Sequence, residues 1–239
     1  MGQYYRGVIL GKTTKRAKRV IVKQAYCCYA HNNGAKLMEH SYIGNYYVKA
    51  YELALANKFY GYPFVWVGDY ADEMFNTDVY TKANEFIDNK TIQIAKKKGF
   101  YPIQDSIRFE KLCPDGSIET KFEQDFIQKV VTEKNYKTLP EYKYLINLDK
   151  KVFVKLPTYK PKTLTIHPLP LLCAEGNQRG GGDYYGTNET LVGEWAYDRI
   201  GIANELPDDI KTELIVEFVE GSDTSDTYKY QSLNNIDKE

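Results

Sequence analysis

The residues best suited to chemistry stand in one run, Glu175-Gly176-Asn177-Gln178-Arg179-Gly180-Gly181-Gly182-Asp183-Tyr184-Tyr185-Gly186. Its glycines leave backbone N–H groups unshielded by side chains, and such a backbone can wrap an anion. Arg179 adds a planar fork that matches phosphate or carboxylate, and Tyr184 and Tyr185 add rings on which a base can stack. The expected ligand-binding set is therefore Arg179, Gly180, Gly181, Gly182, Asp183, Tyr184 and Tyr185, for a small anionic, nucleotide-like ligand. No Lys-Ser or Lys-Thr follows the glycines, so the run is not a Walker loop, and it lacks the dinucleotide spacing. A surface loop between strands would carry the same glycines.

Other clusters carry less. Asp69, Asp72 and Glu73 follow an apolar run and could offer hard oxygen ligands to Mg²⁺ or Ca²⁺. The charged start of a helix would use the same residues, so no metal is assigned and these three are only weak candidates. Cys27, Cys28, His31 and His40 suggest zinc, but adjacent cysteines on a strand face opposite ways and no second clustered pair exists. His167 precedes Pro168, where a hydrogen-bonded structural histidine is the simpler reading. No nucleophile elbow or recognised Cys–His signature is present, which favours binding over catalysis and requires no cofactor.

The charges sum to zero, 32 basic against 32 acidic, yet they are unevenly spread. Residues 1–38 hold eight Lys or Arg and no acid, six of them between Lys12 and Lys23. Residues 205–239 hold ten acids against three lysines. The acidic end would compete for the basic hairpin, so a nucleic-acid partner is not expected. The four cysteines are too few for a disulfide scaffold, and no signal peptide or membrane span is read, which points to the cytoplasm. Oligomerisation is left open.

The elements that must position these residues follow from periodicity. Residues 3–10 and 19–30 read as strands of a hairpin joined by a polar, basic turn. Tyr47, Tyr51, Leu55 and Phe59, with Val48, make one helical stripe over 45–59, capped by Asn45 and stopped by Gly61 and Pro63. Phe64–Val67 reads as a buried strand. Shorter helices are expected over Val79–Asp88 and 120–133, and 91–98 is ambiguous. Alternation over Tyr142–Leu148 and Val152–Leu156 predicts a second hairpin turning at Asp149-Lys150, with further strands at 191–203 and 213–219. The fold class is α+β: mixed, mostly antiparallel sheets with about three helices clustered in the middle of the chain. Residues 1–220 would form one domain and 221–239 an acidic polar tail.

Gly2-Gln3-Tyr4-Tyr5, Lys36-Leu37-Met38-Glu39, Asn147-Leu148-Asp149-Lys150-Lys151 and Trp195-Ala196-Tyr197-Asp198-Arg199-Ile200 together resemble an uncharacterised family of small bacterial and phage proteins. The resemblance covers about a quarter of the chain and implies a bacterial or phage cytosolic protein, with no activity attached. Members run Gly-Gln-Tyr-Tyr directly into Asn-Leu-Asp-Lys-Lys, and carry Trp-Ala-Gly-Asp-Arg followed by Gly-Asp-Tyr. Here the pieces are split, with Gly68-Asp69-Tyr70 after Trp66 and Asp198-Arg199 after Trp195. That splitting raises an internal duplication, with pseudo-repeat halves 1–105 and 140–210; two β-rich halves would also resemble one another by composition alone. The expected function is a non-enzymatic binding protein that holds or sequesters a nucleotide-like anion. Its alternatives are an inhibitor docking on a host protein, and a metal-dependent phosphoester hydrolase using Asp69, Asp72 and Glu73 with His40 as base.

Overall fold

Val8 and Leu10 alternate with Ile9 along the first strand, so the sheet it belongs to buries side chains on both faces. The computed structural model describes residues 3–16, 19–27, 36–37, 41–71, 79–80, 100–102, 109–112, 118–121, 140–158, 166–177 and 191–216. Strands β1 (Tyr5–Arg16) and β2 (Arg19–Cys27) form the expected hairpin, with strand pairing running through the residues read as its basic turn. Helix α1 (Tyr46–Ala56) and strand β3 (Tyr62–Gly68) follow. After β4 (Phe100–Pro102), a separate two-stranded sheet joins β5 (Phe109–Leu112) to β6 (Ile118–Lys121). The second hairpin is β7 (Tyr144–Asn147) with β8 (Val152–Lys155). Helix α2 (Pro168–Leu172), β9 (Ala174–Glu175), β10 (Arg199–Ala203) and β11 (Thr212–Glu213) complete the described elements.

Nine strands share the main sheet in the order β11-β8-β7-β10-β3-β1-β2-β4, with β9 added alongside β3. The order reads alike from both ends. Outward from the antiparallel β3–β10 pair lie an antiparallel strand (β1 or β7), its hairpin mate (β2 or β8) and a short parallel edge strand (β4 or β11). Helix α1 belongs to the core on one face, with Tyr5, Ile9, Phe64, Trp66, Leu145 and Ile200. On the other face Val8, Leu10, Cys27, Val65 and Val67 form a second cluster, and Ile146, Phe153 and Ile210 a third. A mostly antiparallel sheet with few helices is therefore present, as in an α+β or a mostly β chain.

The three-helix expectation is not borne out. Among the described residues only α1 and α2 are helices, with isolated helical positions at Leu37, Ala71 and Val79–Tyr80. The range read as a helix over 120–133 begins instead inside β6, where Ile118 and Thr120 are β-branched. Its remaining residues, most of 79–88, all of 91–98 and the tail 221–239 lie outside the described residues. The strand expected over 191–203 is confined to β10, since 191–198 wind through turns around the buried Trp195.

Helix α1 is buried on nearly every side, from Val48 to Leu55. Asn45 caps it as expected, its Oδ1 accepting the Val48 N–H at 3.3 Å. A helix enclosed this way must pair its polar side chains inside the protein. That demand sets up the site.

Candidate functional site

Lys49 and Glu52 lie one turn apart on α1, and both are almost wholly buried. The Lys49 ammonium bonds to Glu52 Oε2, and His167 Nε2 lies 2.7 Å from Glu52 Oε1. His167 is also the cap of α2. Its Nδ1 accepts the Leu169 N–H at 2.9 Å, and Pro168 occupies the first helical turn, where a missing N–H costs nothing. Because Nδ1 accepts, Nε2 carries the proton and donates to Glu52. Both ring nitrogens are thus committed, and the ring has none left for a nucleophile. The structural reading of His167 holds.

Burial pushes the Glu52 carboxyl upward, but the hydrogen bond from His167 and the adjacent Lys49 ammonium outweigh it and hold the group below the usual carboxylate value. Lys49 also stands 5.4 Å from the centre of the Tyr142 ring. Burial raises the Tyr142 phenol, the Asn57 hydrogen bond opposes this, and the Glu52 charge raises it further.

In front of this network opens a cleft of about 540 Å³, whose lining includes Lys49 and Glu52 of α1 together with Glu141, Tyr142, Lys143, Lys155 and Asn204. Lys155 reaches it from β8 and is paired with Glu213 of β11 at 2.8 Å. Asn204 is fixed at the end of β10, its Oδ1 accepting the Lys143 N–H at 3.1 Å. Amines, a phenol and an amide can hold the anionic and flat parts of a small molecule.

The expected ligand set Arg179–Tyr185 lies outside the described residues, as do Asp72, Glu73, Cys28, His31 and His40. Asp69 is described, and its Oδ1 faces the Tyr4 N–H at 3.3 Å, where β3 ends beside the start of β1. Among the described residues no group of three or more His, Cys, Asp or Glu could hold a metal. Cys27 sits in the second core, where burial pushes its thiol up to about 12 against a smaller opposing effect of Arg6. Reading the sequence missed Lys49, Glu52 and Tyr142. The available signal was two charged residues placed one turn apart on a helix whose other positions are apolar.

Two strings of the resemblance meet in space. Arg199 donates to Asp149 through both its Nε and its backbone N–H, each at 2.7 Å, and Asn147 Nδ2 donates to Asp198 Oδ2 at 2.8 Å. Lys150 adds contacts to Glu194 at 3.5 Å and Asp198 at 4.0 Å. The charges close on one another, so this is a brace between β7 and β10. No described helix is long and apolar enough to cross a membrane. No family model, no curated protein and no solved structure matches the chain, so the cleft and its polar wall stand on their own geometry.

Proposed function

We propose that the protein is a non-enzymatic binding protein of bacterial or phage origin, and that a small anionic, nucleotide-like ligand occupies the cleft between α1 and the β7–β8 hairpin. The observation that carries this reading is the placing of Lys143 and Lys155 with Tyr142 on one cleft, where Lys49 is already paired with Glu52, Lys155 shares its charge with Glu213, and Glu141 is a further acid of the lining. Lys143 and Lys155 meet the phosphate groups, and Tyr142 meets the base. Commitment of both His167 nitrogens supports binding over proton transfer at this site. The glycine-rich run with Arg179 is a separate proposed contact. The palindromic strand order supports an internally duplicated chain.

Thermal shift of the full chain tests the reading against nucleoside mono- and triphosphates, inorganic phosphate and pyrophosphate, each with and without Mg²⁺. A nucleotide at about a hundred times its Kd should raise Tm by roughly 5 °C or more. The Lys143→Glu/Lys155→Glu variant should lose that rise, and Arg179→Ala reports on the glycine-rich run in the same assay. Silence across the panel overturns the reading in favour of a protein partner. Metal-dependent phosphoester turnover overturns it in favour of a hydrolase.

A further inference from the structure

The two halves of the sheet match residue by residue. Val8 of β1 lies opposite Val65 of β3 and Cys27 of β2, while Ile146 of β7 lies opposite Gly201 of β10 and Phe153 of β8. One position on, Ile9 faces Phe64 and Tyr26, and Asn147 faces Ile200 and Val152. Tyr26 and Val152 then lie beside the parallel edge residues Tyr101 and Thr212.

The turns leading into β3 and β10 repeat as well. Tyr60 N donates to Asn57 O and Tyr62 N to Phe59 O at 3.1 and 3.0 Å, while Ala196 N donates to Gly193 O and Asp198 N to Trp195 O, both at 3.1 Å. Across the seam, Gly61 N donates to Ile200 O at 2.9 Å and Tyr197 N to Phe64 O at 2.8 Å, each bond being the other's image. Gly61 and Tyr197 share the left-handed backbone, with φ of 77° and 69°. A bulky residue rarely adopts that conformation, so its recurrence at the matching position is informative.

Carried to the strand starts, the correspondence takes Glu141, Tyr142, Lys143 and Asn204, all at the cleft, to Gln3, Tyr4, Tyr5 and Gly68. At the second location only Tyr4 remains exposed, while Gln3 and Tyr5 are buried. The chain just after β9 fills the space: Asn177 N donates to Gln3 Oε1 at 3.2 Å. A Cβ on Gly176 would come within 2.2 Å of Gln3 Oε1 and 2.7 Å of the Tyr5 hydroxyl. We infer that the chain is a fused pair of one four-stranded unit, β1-β2-β3-β4 and β7-β8-β10-β11 with β9 inserted in the second, and that the hairpin side of the cleft is one of two equivalent locations. The first unit supplies the α1 wall of the cleft and the second supplies its hairpin. Gly176 and Asn177 seal the counterpart, so each chain holds a single ligand. Only the stoichiometry rests on the ligand reading above.

Two measurements on the unmodified full chain separate the claims. In hydroxyl-radical footprinting read by residue, Tyr5, covered by Gly176, should be modified about tenfold more slowly than its exposed neighbour Tyr4. Equal rates overturn the sealing, whatever binds. Equilibrium dialysis with ATP as the probe should saturate at one per chain. Two per chain overturns the inference, whereas no binding together with a protected Tyr5 overturns the ligand reading and leaves the sealed counterpart standing.

Discussion

Glu52 is the residue on which the interior of the site turns, because it is the acceptor for both Lys49 and His167. Its carboxyl is held below its ordinary value, so its contribution to stability is full above the unfolded value of about 4.3 and is lost as pH falls through the folded value. Glu52→Gln keeps the shape but strands a buried ammonium, which should cost roughly 3–5 kcal/mol at pH 7. The variant should also lose part of the steepening of the unfolding curve below about pH 4.3. Urea melts from pH 3 to 7 measure both effects, and an unchanged acid limb would place the pH sensitivity elsewhere. None of this was legible from the residues in order. Glu52 and His167 are 115 positions apart, and only the packing of α2 beside α1 brings them together.

Among the elements, those with their own periodicity could be read and those held by distant partners could not. The stripe of Val48, Tyr51 and Leu55 names α1, although the helix read to 59 ends at Ala56 and Phe59 lies in the turn beyond it, and alternation names β7 and β8, because local pattern alone decides which side is buried. Helix α2 has five residues, two of them proline, and no period to detect; His167 and Pro168 at its start are the only local signal. Fit between elements is set by contact, as at Gly7, where the Tyr51 hydroxyl donates to the Gly7 carbonyl and ties α1 to β1. A Cβ on Gly7 would come within 2.6 Å of the Tyr51 ring and 2.7 Å of the Trp66 ring, neither of which can swing away inside the core. Gly7→Ala should therefore lower stability by about 2–3 kcal/mol, the usual size of an overpacking strain. Tyr51→Phe, which removes only the hydrogen bond, should cost about 1 kcal/mol. Denaturant midpoints at constant m-value order the two, and a Gly7→Ala change smaller than that of Tyr51→Phe would mean that α1 shifts freely over the sheet.

At the scale of the whole molecule, the fused arrangement makes a claim about cooperativity. Cys27 belongs to the first unit and to the core on one face of the sheet, whereas Cys173 belongs to the second unit and to the α1 core on the other face. Both thiols are buried, and burial raises both, Cys27 to about 12 and Cys173 well above its usual value. Neither is reactive until its surroundings open, because the thiolate is the attacking species. The two units share one continuous sheet through the β3–β10 pair, and the α1 core draws residues from both. Opening one unit should therefore expose the other. Alkylation of the native chain in rising urea, followed by peptide mass analysis to resolve each cysteine, should give the same opening free energy for Cys27 and Cys173 within about 0.5 kcal/mol. Values further apart would mean that the units unfold separately and that the seam is only a docking contact. Above the unfolded thiol value of about 8.5 the unfolded chain loses these protons first, so stability should fall as pH rises from there toward the folded values. Because Cys27 and Cys173, the two described cysteines, lie one in each unit and open in a single transition, Cys27→Ala and Cys173→Ala should each remove part of the same alkaline limb.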